Sequence, residues 1–358
     1  MSSLFSEAWR NLLTGTVRAG LLGTVFALTL STLTVSDAVI VDTLVKEAQD
    51  FQEVGASTIT VAAPAAISGD ACEALSQTNG ILASGAIRST SKSLSLSVLP
   101  RSPVPISEVS AGFSAVLGVQ PGSAGGVVVP KDVVLNSGGQ DEEVLKTARG
   151  DVAVAGVYLY PSDGRRPGLG WAILDPIATG QIFDECWVKI WPWSDEIQSV
   201  LKGVVVAAGA TQDQATQTTQ GQLNAKLGTR FLGEDRYTSR VTRYAPGAAL
   251  ILGFALAAVS FRSRRLELAA RRQDGFSRTD VTAQSIIETL AWVTPAALCA
   301  WAASTVYPYL VAYGTTVEGA GANPFIIAIA GVIGAVLGAG VTAAIVRERH
   351  LFAYFKDR

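Results

Sequence analysis

Long apolar runs without charge alternate along this chain with polar stretches of very different length. Ala19 to Ser36 holds no charged residue over eighteen positions, about 27 Å as a helix against a hydrocarbon core of roughly 30 Å. Carried on to residue 42, it reads as a first membrane span. The second covers residues 244–261, where Gly247 to Phe261 is extended back towards Arg243 by Tyr244, Ala245 and Pro246, a proline in the first turn of a helix being tolerated. Residues 281–313 form a third, with Pro295, Pro308 and the acid Glu288 inside it, and residues 324–346 an uncharged fourth. Ahead of them, Leu4, Phe5, Ala8, Trp9, Leu12 and Leu13 recur at helical spacing opposite Ser3, Glu7, Arg10 and Asn11, which predicts an amphipathic interfacial helix over residues 1–18. A cleaved signal peptide is the competing reading, but it has no use for such a face and its apolar core is usually shorter.

Between the first and second spans, residues 43–243 change period. Thr58 to Ala62, Ser93 to Leu99, Gly126 to Val129, Val152 to Tyr160, Gly170 to Leu174 and Trp187 to Trp191 are short β-branched or aromatic runs bounded by Pro, Gly, Ser or Asp, and are predicted strands. Helices are predicted at either end, Ala38 to Val54 and roughly Gln214 to Tyr237. Asp37, Asp42, Lys46, Glu47 and Asp50 would make the first of these a solvated stalk. Thr211 to Gln222, rich in Thr and Gln, reads equally as a polar helix face or a loop. The fold class is an α-helical membrane protein of four transmembrane helices, with an α+β extracytoplasmic domain inserted between the first and second.

Composition agrees with that class: 49% of residues are hydrophobic and 16% charged, where ordinary soluble domains carry about 25% charge. A net charge of −2 removes the electrostatic case for nucleic acid. The distribution of charge is more informative. Arg10 and Arg18, six arginines from Arg262 to Arg278, and Arg347, Arg349, Lys356 and Arg358 flank the spans on one side, with six acids among them. The other side carries sixteen basic and twenty-three acidic residues. Lys and Arg accumulate on the cytoplasmic face, so both termini, the loop 262–280 and the tail 347–358 are expected in the cytoplasm, and the large domain outside the cell membrane.

One histidine and three cysteines are too few for the usual four-ligand zinc site, and no metal is expected. Cys72 and Cys186 both fall in the oxidising compartment, as a disulfide or as two buried thiols; Cys299 reads as packing within the third span. Trp187 and Trp191, an even number of positions apart, would share a strand face, and together with Trp193 they read as core before they read as a binding patch. No G-x-x-x-x-G-K-[ST] loop occurs, since Gly125 and Gly126 are followed by Val127, Val128 and Val129. His350, near the last span, has no nucleophile beside it. The chain is not expected to be an enzyme or to hydrolyse nucleotide itself.

The loop 262–280 carries the most information. Arg264 to Gln273 consists of helix formers in which Arg265, Glu267, Arg271 and Arg272 alternate with Leu266, Leu268, Ala269 and Ala270; Gly275 ends it, and Ser277 or Thr279 can cap the helix that enters the membrane at Val281. This predicts a short helix along the inner surface, shaped to dock into a cytoplasmic partner. The plain alternative is a positively charged loop, which needs arginines but not Glu267, Gly275 and Glu288 at these intervals. The pattern R-x-x-E-[IL]-x-x-x-R-x-x-G-x-[ST], followed by a membrane-embedded Glu, is met by Arg264, Glu267, Leu268, Arg272, Gly275, Ser277 and Glu288, and it resembles the FtsX-like, or MacB-type, permeases of ABC transporters. The layout resembles that family too: an interfacial helix, one span, a large outer domain, three more spans. The resemblance implies that Arg264, Arg265, Glu267, Leu268, Arg271, Arg272, Gly275 and Ser277 couple to a separate ABC ATPase subunit, which would hold ATP and Mg while this chain holds no cofactor. It also implies a homodimer and stalks continuing the first two spans outward.

Glu288, costly in lipid, should face protein, either an arginine of the loop or a helix end. Gly334 and Gly338 form a G-x-x-x-G pair, with Gly331 and Gly340 beside it, for packing within the chain or between two copies. Two functions follow. One is export or extrusion of amphipathic peptide, antibiotic or lipid-linked cargo. The other is a relay in which nothing crosses and the outer domain controls an extracellular protein such as a cell-wall hydrolase. A membrane receptor without an ATPase is a third.

Overall fold

A computed structural model of the chain describes residues 18–120, 125–137, 143–192, 197, 200–205, 218–311 and 322–345. The tail 347–358, Trp193 and His350, and all but Arg18 of the predicted interfacial helix lie outside the described residues. Two compact units are present, residues 1–47 with 232–358, and residues 48–231. In chain order the elements are α1 (Ala19–Glu53), β1 (Thr58–Ser68), α2 (Gly69–Ala74), β2 (Ile81–Leu94), β3 (Val104–Val109), α3 (Phe113–Val116), β4 (Val127–Pro130), α4 (Lys131–Asn136), β5 (Val144–Thr147), β6 (Gly150–Tyr158), β7 (Ile173–Pro176), β8 (Ile182–Ile190) and β9 (Thr219–Gln222). They are followed by α5 (Gly233–Ser239), α6 (Ala245–Ser263), α7 (Arg265–Gln273), α8 (Arg278–Val311) and α9 (Ala322–Ile345).

Four helices, α1, α6 with the turn before it, α8 and α9, are long and apolar enough to cross a membrane. They pack against one another through small residues. The buried seam is made largely of alanine (Ala249, Ala257, Ala296, Ala300, Ala335 and Ala339) around Phe26, Leu30 and Trp292, while Leu21, Ile251, Val259, Leu298, Ile326 and Ile345 face outward. A helix in water turns its bulky aliphatic side chains to the core; where the surroundings are as apolar as leucine, close packing of small residues holds helices together instead. Glycine brings α6 and α9 to backbone contact: a Cβ on Gly253 would lie 2.2 Å from the Gly331 carbonyl oxygen, one on Gly334 2.0 Å from that of Leu250, and one on Gly338 2.3 Å from that of Phe254. The Phe26 ring meets Trp292 edge-on at 5.8 Å, joining α1 to α8.

The second unit is a mixed sheet in the order β5-β6-β4-β7-β3-β2-β8-β1-β9. Its pairs are antiparallel except β3 with β7 and β4 with β6. Side chains of β8 alternate between two cores: Cys186 and Val188 pack with Ile59 and Val61, whereas Trp187 packs with Phe113, Tyr158 and Leu174. A disulfide joins Cys72 of α2 to Cys186 of β8, across 114 positions of sequence.

The structure departs from the sequence reading at identifiable places. Of the strand predicted over Ser93 to Leu99 only Ser93 and Leu94 are strand, the end of β2, and the rest is irregular; β2 itself, Ile81–Leu94, passes close to α3, where a Cβ on Gly85 would lie 2.3 Å from the Phe113 backbone. Residues 214–217 of the helix predicted over Gln214 to Tyr237 lie outside the described residues, and from residue 218 to Leu232 the described chain is not helical. Residues 219–222 pair with β1 as β9, Gly228 turns with φ +93°, and helix resumes only at Gly233. Trp191 lies beyond the end of β8 and packs with Phe51 and Phe231 rather than sharing the face of Trp187. Asp37, expected to be solvated, is 1% exposed.

Candidate functional site

The junction of α6, α7 and α8 gathers the charged residues of the loop. Arg264 is the single residue between α6 and α7, and its non-helical backbone turns the chain from one helix into the other. Leu268 and Ala269, on one face of α7, are buried in the same cluster as Phe261 and Val281, so α7 is held to the bundle by an apolar face one turn wide. The short helix therefore presents Glu267 towards Arg264 and leaves Ala270, Gln273 and Asp274 exposed.

Arg264 is the hub. Its Nε and Nη2 donate to Glu267 Oε2 at 2.9 Å and Oε1 at 3.0 Å, a two-pronged pairing within α7's first turn. Its Nη1 donates to Glu288 Oε2 at 2.8 Å, reaching across to α8. Arg271 Nη2 donates to Glu267 Oε1 at 3.1 Å and Gln284 Nε2 to Glu288 Oε1 at 3.1 Å. Glu288 is 2% exposed, and a carboxylate so placed is tolerated only with charged or hydrogen-bonding partners. Burial favours the neutral form of Glu267, but the hydrogen bonds and charge of Arg264, with those of Arg271, outweigh it and hold the carboxyl below its ordinary range. Burial likewise opposes the charge on Arg264, and Glu267 and Glu288 more than restore it.

The exit from α7 is fixed by backbone geometry. Gly275 has φ +95° with no atom within 4 Å of the position of a Cβ, so its need for glycine is conformational, not steric. Its N–H donates to the Arg272 carbonyl and that of Phe276 to the Arg271 carbonyl, both at 3.3 Å, the pair of bonds that closes a helix with a left-handed residue. Ser277 then starts α8: its Oγ accepts from Asp280 N at 3.1 Å and donates to Asp280 Oδ2 at 2.6 Å. Arg265 opens α7 at its first position.

The remaining candidate residues lie elsewhere. Cys72 and Cys186 are in the sheet unit, bonded to each other; Gly334 and Gly338 are against α6. Among the described residues no group of His, Cys, Asp and Glu could hold a metal ion. Sequence reasoning passed over Gln284, whose spacing of one helical turn from Glu288 was a usable signal. It also passed over a pair near the other ends of the helices: Asp37 Oδ1 accepts from Arg240 Nε at 3.1 Å, while the Arg240 guanidinium lies 3.9 Å from the Tyr237 ring centroid. A separation of 203 positions hid that pair, although Asp37 is the charge that adjoins the first apolar run.

No family model matches the chain, and no curated protein matches it either. Among solved structures, the periplasmic region of MacB from Actinobacillus actinomycetemcomitans is similar at 13% sequence identity and a TM-score of 0.34, over 50% of this chain and 94% of that one.

Proposed function

We propose that this chain is the membrane-spanning permease of an ABC assembly of the FtsX-like, MacB type, two copies of it working with a separate ATPase subunit that binds ATP and Mg. In this reading α1, α6, α8 and α9 cross the cell membrane, α7 lies at its cytoplasmic face, and residues 48–231 stand outside. The observation that carries the proposal is the Arg264 hub. Through it α7, the element exposed for docking, is tied by one guanidinium both to its own first turn and to the buried Glu288 of α8. A push on α7 from the closing ATPase would then be felt in α8 without deforming α7 itself. The chain's part is transmission: its residues receive a displacement and pass it along helices, with no bond made or broken here.

The work done outside is export or extrusion of amphipathic peptide, antibiotic or lipid-linked cargo. The presence of a ligand-sized cleft in the sheet unit, about 480 Å³, favours this over the relay to an extracellular partner such as a cell-wall hydrolase. The test is co-purification from the native host in detergent, with mass spectrometry of the bound proteins and ATPase assay of the eluate. Wild type should retain an ATP-binding subunit, and Gly275→Pro or Glu267→Arg should lose it or uncouple its ATPase while inserting normally. Recovery of the intact chain with no ATPase would overturn the proposal in favour of a receptor. An extracellular hydrolase in place of small-molecule transport would favour the relay.

A further inference from the structure

The cleft in the sheet unit is walled by β2, β3 and β8 and by the segment from Tyr160 to Ala172. Its floor is apolar, with Ile87, Leu169 and Ala172 each less than a tenth exposed. On one wall stands Glu185, whose side chain is 23% exposed. Oε2 of this carboxylate accepts from Trp187 Nε1 at 2.8 Å and from Arg166 Nη2. Oε1 accepts from no other group among the described residues. The Arg166 guanidinium also lies over the Trp187 ring, 5.1 Å from its centroid. Glu185 and Trp187 thus form a seat for a flat or rounded cation, a carboxylate beside an indole face, and that seat is filled by a side chain of the protein itself.

Arg166 is poorly committed to the position. Its side chain is 44% exposed, and it pairs with one oxygen of Glu185 where a guanidinium can take two. Its backbone is held independently, the N–H donating to the Leu223 carbonyl at 2.9 Å and the carbonyl accepting from Tyr160 Oη at 2.6 Å. The guanidinium can therefore leave by rotation of its own side chain while the segment stays in place, uncovering the indole next to the apolar floor. Asp184 also lines the cleft, but its carboxylate oxygens accept from Ala65 N at 3.0 Å and Ser89 N at 3.2 Å, so Glu185 is the carboxylate that departure of Arg166 leaves open.

We propose that this cleft binds an organic cation carried on an apolar body, the ammonium or guanidinium side chain of a cationic amphipathic peptide, which takes the place of Arg166 on Glu185 and Trp187. The proposal names a ligand class for the export reading and rests on it only for its purpose. Binding is measured without any ATPase, so its failure would leave the coupling hub untouched, and loss of the hub would leave the cleft.

The test uses the full chain in phosphatidylcholine nanodiscs, with titration calorimetry of the amide-capped tripeptide Phe-Lys-Phe and of its norleucine and glutamate analogues. The lysine peptide should bind more tightly than either analogue. Arg166→Gln should tighten it by about tenfold, because the internal competitor is gone, and Glu185→Gln should weaken it by a similar factor. A merely structural role would make both substitutions act in the same direction. Far-ultraviolet dichroism and the thermal transition of each variant establish that the sheet is intact; if Glu185→Gln is not folded, Arg166→Gln alone decides. Equal affinity for the three peptides, absence of heat with the lysine peptide even in Arg166→Gln, or weakening by Arg166→Gln would each overturn the proposal.

Discussion

Arg264→Gln and Glu288→Gln remove opposite ends of the same contact, yet they should differ in cost. Arg264→Gln takes one guanidinium from both Glu267 and Glu288, the latter a carboxylate that is 2% exposed, and removing one partner of a buried ion pair costs about 3–5 kcal/mol. Glu288→Gln leaves Arg264 charged but still in its two-pronged contact with Glu267, so only a charge-assisted hydrogen bond is exchanged for a neutral one, at about 1–2 kcal/mol. The double variant removes both charges from the contact and should be more stable than Arg264→Gln alone, with a coupling energy of about 1–3 kcal/mol. Thermal unfolding of each variant in nanodiscs, followed by tryptophan fluorescence, supplies the cycle. Assayed for stimulation of the proposed ATPase partner, Glu288→Gln should lose part of the coupling and Arg264→Gln more of it. Additive effects, or a Glu288→Gln variant less stable than Arg264→Gln, would refute the argument that Arg264 serves as counter-ion to a buried carboxylate.

Gly334→Ala should cost about 1–3 kcal/mol, since its Cβ would stand 2.0 Å from the Leu250 carbonyl oxygen. Gly340→Ala on the same helix, with nothing within 4 Å, should be neutral or stabilise by about 0.5–1 kcal/mol through helix propensity; detergent melting curves separate the two. Cys72→Ser should lower the stability of the sheet unit by about 4–5 kcal/mol for a loop closed over 114 positions, and reduction of wild type should reproduce the loss. Hydrogen bonds from Lys92 and Arg88 hold the Glu108 carboxyl below its ordinary range. The stability this contributes is full above the unfolded carboxylate's pKa of about 4.5 and is lost as pH falls through the lower folded value. The melting temperature of wild type relative to Glu108→Gln should therefore fall in acid, and an unchanged difference down to pH 3 would refute the pairing.

The long apolar runs were legible because hydrophobicity sustained over a whole helix requires no partner to be interpreted. α7 and its two boundaries were legible for another reason: Gly275 and Ser277 act through local backbone geometry. β2 was hidden, since Gly85 lies where the Phe113 backbone passes close by, and it sits among Ala83, Ser84 and Ala86, small residues that leave no alternating pattern to detect. The same holds for β9, whose Thr and Gln residues suit a strand edge and a helix face equally well. Glu288 announced that it needed a partner, but only the fold could say that Arg264 Nη1 meets it. Asp37 stood at the end of an apolar run and was read as the beginning of water; its burial depends on Arg240, which arrives from the far side of the inserted domain.

The contact between α6 and α9 has a mechanical meaning. Side chains are the compliant layer of a helix interface, because they can change rotamer and absorb a small slip. Where Gly253, Gly334 and Gly338 set backbone directly on backbone, that layer is missing, and the two helices have the stiffness of a laminate rather than of two rods in contact. A displacement entering α6 at its Arg264 end would reach α9 undamped. Should two copies pair as the proposed assembly requires, Ile326, Ile333 and Leu337, which face outward, would place side chains in such a contact and give a softer joint. Stiff within a copy and yielding between copies, such an assembly would let each bundle move as a body while its neighbour turns against it.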